Sequence, residues 1–76
     1  MDIKEFIEHF AEQFEDTDKS VFNAETRFHD LDEWSSLMAL NVIALVDEEY
    51  DVTLKGADIE NALTIQDLFN TIQSKK

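Results

Sequence analysis

The sequence predicts an all-α domain, a small four-helix bundle of three main helices and a short third helix, with a long first loop. Apolar residues recur at three- and four-residue steps in separate segments, which is typical of helices with one buried face. The chain has no proline. Its one alternating stretch, "DVTL" at 51–54, has no second strand to pair with. Hydrophobic residues make up 43% of 76 residues, enough for one core, so we expect a single domain over 1–76.

The first helix is predicted over roughly 3–15. One face of this segment carries its apolar residues, Ile3, Phe6, Ile7, Phe10 and Phe14. Asp2 and Glu5 are spaced as in a capping box. The long connection "EDTDKSVFNAETRFHDLDEW" follows. Its isolated apolar residues are expected to attach it to the core: Val21, Phe22, Phe28 and Leu31.

The second helix is predicted over roughly 36–50, from "SLMALNVIALVDEEY". The apolar stripe expected there consists of Leu37, Leu40, Ile43, Ala44 and Tyr50. Val42, Leu45 and Val46 widen it, so we expect this helix to be central.

Two further helices complete the bundle. A short one is expected over about 57–62, just after Gly56, the only glycine. The last is predicted over roughly 65–74, where Thr64 and Asp67 form a capping-box signature. Its apolar face consists of Ile65, Leu68, Phe69 and Ile72.

The chain is strongly acidic, with six Lys and Arg against eighteen Asp and Glu and a net charge of −12. Nucleic acid and anionic membranes are disfavoured partners, because binding them depends on cationic side chains. A partner would present a basic patch and bind in a salt-sensitive way. The alternative is that the acids only maintain solubility. No signal peptide or membrane-length apolar run is evident, so we expect a cytoplasmic monomer that contacts no membrane.

The sequence contains little evidence for a metal site or a catalytic site. The chain has no cysteine, which excludes disulfides and thiolate ligands. "DTDKSVFNAETR" begins like a calcium loop, but Val21 stands where glycine is needed and Arg27 where glutamate is needed. His9 and His29 lack zinc-site spacing and are interpreted as a helix residue and a loop residue. A Ser36–His29 pair is possible by composition, but there is no glycine-rich elbow, so we expect no enzyme and no metal.

Two adjacent serines, Ser35 and Ser36, open the second helix. A serine at the N-cap accepts a hydrogen bond from a backbone N–H of the first turn. The residues three positions later are Met38 and Ala39, so neither serine completes a capping box. Capping therefore accounts for one serine and leaves the other without a role.

The segments "WSSLMALNVIALVDEEYDVTL" and "IENALTIQDLFNTI" resemble the acyl carrier protein family, including its peptidyl- and aminoacyl-carrying relatives. The family pattern is Asp-Ser-Leu at the start of the second helix, then an apolar helix ending in acids before an aromatic residue. Ser36-Leu37 and "VDEEY" at 46–50 occupy those places. "GADIENA" and "LTIQDLF" match the family's third helix and the start of its last. The likeness covers nearly the whole chain and is best from residue 31 onward.

The resemblance implies a carrier and no enzyme. In the family, the motif serine is esterified by 4′-phosphopantetheine from coenzyme A, whose thiol carries acyl groups as thioesters in fatty acid, polyketide or related biosynthesis. That role falls on Ser36, where a helix N-terminus favours a phosphodiester. The implied partners are a phosphopantetheinyl transferase and acyl-transferring or acyl-processing enzymes with basic patches. The residues expected to contact them are Trp34, Ser35, Leu37 and Met38.

The chain departs from the family pattern at Ser35, where the family usually has Asp. Met38 is equally suited to a partner contact and to packing. An aminoacyl or peptidyl carrier and an unmodified acidic interaction module remain alternatives. A pocket between the second and third helices is expected to shelter a fatty chain, unless its lining is plain core: Val42, Val46, Leu54, Ile59 and Ala62.

Overall fold

A computed structural model describes residues 2–76, and over this range the chain is helical without a strand. Two short 3₁₀ turns, Lys19–Val21 and Phe28–Asp30, interrupt the long first connection and were not predicted. The four α-helices are α1 (Ile3–Ala11), α2 (Ser36–Tyr50), α3 (Gly56–Asn61) and α4 (Ile65–Ser74). The radius of gyration is 11.1 Å, close to the roughly 11 Å of a compact chain of this length. The prediction of a small helical bundle is confirmed.

α1 ends earlier than predicted, at Ala11 instead of near residue 15. After Ala11 the hydrogen bonds shorten to three-residue steps, from the Gln13 N–H to the Phe10 carbonyl and from the Phe14 N–H to the Ala11 carbonyl. These turns bring the Phe14 ring to 5.5 Å from the Phe10 ring, so Phe14 is buried although it lies outside the helix. The apolar spacing therefore continues past the point where the α-helix ends.

The start of α1 is capped by one side chain. The Asp2 carboxylate accepts the Lys4 N–H at 3.1 Å. Glu5, the expected partner in a capping box, lies 3.8 Å from the His9 Nε2 instead.

The long connection is attached to the core by aromatic side chains and by backbone hydrogen bonds. Phe22 and Phe28 are buried against Phe10, as predicted, and Leu31 packs on the core. Val21 is exposed, so the prediction was wrong there. The first two N–H groups of α4 donate to loop carbonyls, those of Thr26 and Ala24. These bonds satisfy donors that a helix N-terminus leaves free.

The buried face of α2 differs from the predicted stripe. Its buried side chains are Val42, Leu45 and Val46, whereas Leu37 and Leu40 are 66% and 62% exposed. Ala44 is also exposed, and Ile43 and Tyr50 are partly buried. α2 therefore packs on one side and is not a central helix. Because apolar residues surround its circumference, local spacing fits more than one buried face, and packing against the other elements selects among them.

α3 and α4 follow the predicted order. α3 begins at Gly56, one residue before the predicted start, and the Asp58 carboxylate accepts the Lys55 N–H at 2.9 Å. Asp58 also lies 3.3 Å from the Lys75 Nζ, which joins α3 to the chain just after α4. The pKa of Asp58 lies below its usual value, mainly because its carboxylate accepts the Lys55 N–H and also because it contacts the Lys75 ammonium.

The N-terminus of α4 has the predicted capping box. The Asp67 N–H donates to the Thr64 Oγ1 at 3.1 Å, and the Thr64 N–H donates to the Asp67 Oδ2 at 3.2 Å. The predicted apolar face is buried throughout: Ile65, Leu68, Phe69 and Ile72.

Candidate functional site

The two serines that open α2 have different surroundings. Ser35 is the N-cap, with extended backbone angles, and its Oγ accepts the Met38 N–H at 3.3 Å. Ser36 is the first residue of the helix and is exposed. Within residues 2–76 its hydroxyl takes part in no hydrogen bond. The structure therefore assigns the cap to Ser35 and leaves the exposed Ser36 outside the capping interaction.

The N-terminus of α2, where Ser36 lies, favours an anion. The first N–H groups of a helix lack intrahelical partners, and the helix dipole has its positive end there. The first turn of α2 contains no acidic residue that would already use this field. An esterified phosphate on Ser36 is therefore compatible with the local charges of the helix.

A groove of about 450 Å³ lies beside Ser36, between the first half of α2 and α3. It is mostly apolar and open on one side. The loop, α2 and α3 each contribute to its lining: His29, Trp34, Ser35, Ser36, Ala39, Leu40, Ile43, Gly56, Ile59 and Glu60.

The prediction of which residues line a pocket at this position was mostly wrong. Of the five predicted residues only Ile59 lines the groove, and all five are buried in the core. The reason is the rotation of α2, which turns Ala39 and Ile43 toward α3 and Val42 and Val46 toward the core.

The predicted partner-contact residues differ in exposure. Ser35 and Leu37 are exposed. Trp34 is half-buried, with its ring 4.9 Å from the Phe28 ring. Met38 is half-buried and packs on the core, and its sulfur accepts the Asn41 amide at 3.8 Å. Trp34 and Met38 thus use part of their surface for packing within the protein, whereas the Leu37 side chain is exposed and available to a partner.

One outward face of α2 combines apolar and acidic side chains, and we call it the outer face of α2. Helical spacing places on it the exposed residues Leu37, Leu40, Ala44 and Asp47, and the exposed C-cap residue Asp51 follows the helix. Exposed leucines next to carboxylates are suited to a partner with an apolar contact and a basic rim.

His29 has a role that sequence reasoning missed. Its Nε2 lies 3.0 Å from the Ile59 carbonyl oxygen and 3.0 Å from the Ala62 carbonyl oxygen. Both partners are acceptors, so Nε2 carries the proton and donates. No hydrogen bond joins His29 to Ser36 in the part of the chain that the structure describes.

The other histidine lies among carboxylates on α1 and does not line the groove. The His9 Nε2 is 3.8 Å from Glu5 and from Glu49, and its Nδ1 is 3.6 Å from Glu12. The neighbouring Tyr50 hydroxyl is buried, and this burial, with the charges of Glu5 and Glu49, raises its pKa to about 12. Across residues 2–76, no group of His, Asp and Glu side chains is arranged to hold a metal ion.

The segment just before α2 is fixed by Glu33. Its Oε1 accepts the Asp16 N–H at 3.0 Å and also the Thr17 hydroxyl, which joins the two ends of the long connection. The Thr17 hydrogen bond is the main reason that the pKa of Glu33 lies below its ordinary value of 4.5. The ionised carboxylate therefore stabilises the folded loop.

Replacing Glu33 with Gln should lower stability in a pH-dependent way, because Gln keeps an acceptor but not the charge. A depressed folded-state pKa contributes stability that is complete above the ordinary value of 4.5 and is lost as pH falls through the lower folded value. The melting-temperature gap between parent and variant should be constant near neutral pH and close on acidification below about pH 4.5. A gap that does not narrow anywhere below pH 4.5 would contradict this role.

Together, the fold and the site define a small helical bundle with an exposed serine at a helix N-terminus beside an open groove. Comparisons with models of protein families, with curated proteins and with solved structures found no match to this chain. Within residues 2–76, no helix is both long enough and apolar enough to cross a membrane.

Proposed function

We propose that this protein is a carrier of the acyl carrier protein type, which holds an acyl intermediate as a thioester on 4′-phosphopantetheine attached to Ser36. The observation that carries the proposal is the difference in hydrogen bonding between the two serines. Ser35 satisfies the cap of α2, and the Ser36 hydroxyl is exposed without a hydrogen-bond partner among residues 2–76.

The residues around Ser36 fit the attached group. The free N–H groups of the first turn stabilise the negative charge of a phosphodiester, and no acid in that turn opposes it. The groove provides an apolar surface next to the attachment point for part of the arm or its cargo. When bound, the group supplies the thiol that the chain lacks, since it has no cysteine.

The outer face of α2 is proposed as the surface that partner enzymes contact. Leu37 directly follows Ser36, and Leu40 lies about one helical turn further along, and both are exposed. The acids further along this face and the net charge of −12 would attract a transferase or an acyl-processing enzyme that has a basic rim, and so speed association. Trp34, Ser35 and Met38 would border that contact.

The test is covalent loading of the purified protein. With coenzyme A, Mg²⁺ and a phosphopantetheinyl transferase of broad specificity, intact-mass spectrometry should detect the addition of one phosphopantetheine per chain. No mass gain with several different transferases would contradict the carrier function and favour an unmodified acidic interaction module.

A second step distinguishes the classes of cargo. The loaded protein is offered in parallel to acyl-transferring enzymes and to enzymes that activate amino acids. Thioester formation only with the latter would identify an aminoacyl or peptidyl carrier.

A further inference from the structure

His29 provides a hydrogen-bond donor to the C-terminal end of α3. The last carbonyl groups of a helix have no intrahelical partners, and α3 has no basic residue in its last turn. The His29 Nε2 atom lies 3.0 Å from each of two carbonyl oxygens at this end, those of Ile59 and Ala62. α3 has only six residues, so it depends on such tertiary contacts for its stability.

Aromatic neighbours hold the imidazole in place. The His29 ring centroid lies 4.4 Å from the Phe28 ring and 5.4 Å from the Trp34 ring, which it meets nearly edge-on. Trp34 directly precedes Ser35 and Ser36. One side chain therefore connects the end of α3 to the segment that leads into the attachment site.

The same contacts define the groove beside Ser36. His29 and Trp34 contribute to its lining from the loop, and Gly56, Ile59 and Glu60 form its α3 side. Ile59 contributes twice, because it lines the groove and its carbonyl accepts the hydrogen bond from His29. Release of that hydrogen bond would let the α3 side of the groove move away from α2.

We propose that His29 is a positioning residue that holds α3 as one wall of the groove beside Ser36, and so determines how far the groove shelters a group carried on Ser36. The role of His29 in holding α3 concerns the unmodified protein. The effect on a carried group rests on the proposed carrier function.

The first experiment measures amide hydrogen exchange in the unmodified protein. His29→Phe keeps an aromatic ring but has no donor, and His29→Gln keeps a side-chain N–H of similar reach. Loss of one hydrogen bond should speed exchange of the hydrogen-bonded amides of α3, residues 58–61, about two- to tenfold in His29→Phe. His29→Gln should remain closer to the parent.

The controls separate local release from a general loss of stability. Exchange in α1 and α4, measured in the same samples, should change less than exchange in α3. His9→Phe makes the same substitution outside the groove and should leave exchange in α3 at the parental rate. If α3 exchanges equally fast in the parent and in His29→Phe, or if all helices accelerate together, His29 does not hold α3.

The second experiment uses Trp34, the only tryptophan, as a reporter inside the groove. Ser36 is loaded with acetyl- or octanoyl-phosphopantetheine from the corresponding coenzyme A thioesters, and fluorescence quenching by acrylamide is measured. The octanoyl form should protect Trp34 more than the acetyl form in the parent, and this difference should shrink in His29→Phe and return in His29→Gln.

The outcomes distinguish the two proposals. Equal protection in parent and His29→Phe, with faster exchange in α3, would overturn the effect of His29 on the carried group. Failure of every variant to load would overturn the carrier function and with it that effect, while the exchange data would still decide whether His29 holds α3.

Discussion

Replacing Ser36 with alanine should abolish attachment of phosphopantetheine without loss of stability. The Ser36 hydroxyl is the proposed acceptor and makes no hydrogen bond to any residue from 2 to 76, so its removal costs the fold little. Alanine is also the best helix former at a helical position. Intact mass and a melting curve of the same preparation should therefore report no loading and a parental melting temperature.

Ser35→Ala is the matched control and should have the opposite effect. It removes the Oγ that accepts the Met38 N–H, and loss of an N-cap costs about 1 kcal/mol. For a domain of this size, that should lower the melting temperature by about 4–8 °C. Loading should still occur and peptide mapping should find it on Ser36. Loading that is lost in Ser35→Ala but kept in Ser36→Ala would mean that the acceptor was assigned to the wrong serine.

Ser35→Asp tests whether the departure from the acyl carrier pattern affects recognition. Aspartate caps a helix as well as serine does, and an acid there interacts favourably with the helix dipole, by roughly 0.3–1 kcal/mol. If transferases recognise a carboxylate just before the acceptor, this variant should load faster than the parent at equal enzyme concentration. Equal initial rates would show that the carboxylate is irrelevant to recognition.

The sequence predicted α4 closely because the information that defines it is local. The Thr64 hydroxyl and the Asp67 carboxylate reach only three residues, and both capping bonds form. Four apolar residues occupy one face with polar residues elsewhere, so only one orientation buries them. A different argument, that isolated apolar residues attach a long loop to the core, identified Phe22 and Phe28, although it was wrong for Val21.

The face of α2 and the role of His29 could not be predicted in this way. Leu37 and Leu40 have the same helical spacing as buried leucines, and only the positions of the other helices leave them exposed. His29 donates to the carbonyls of Ile59 and Ala62, which lie about thirty residues away in sequence. Every residue has a backbone carbonyl, so these acceptors leave no residue-type signal in the sequence.

The largest effect on stability is expected from truncating a buried leucine. Leu68→Ala should destabilise the protein by about 2–5 kcal/mol, because Leu68 is fully buried in α4 and its truncation leaves a cavity. A domain of this length has a free energy of unfolding of roughly 4–11 kcal/mol, at about 0.05–0.15 kcal/mol per residue. At least about a fifth of this free energy should be lost, measured as a lower denaturant midpoint with a similar slope.

Leu40→Ala makes the same substitution on the outer face of α2, where Leu40 is 62% exposed. Its effect should stay within about 0.5 kcal/mol, since it creates no cavity and alanine favours the helix slightly more than leucine does. If both leucines were buried, as the apolar spacing predicts, the two variants should lose similar amounts of stability. A cost for Leu40→Ala as large as that for Leu68→Ala would therefore show that this part of α2 is buried in solution, and that the outer face cannot serve as a partner surface.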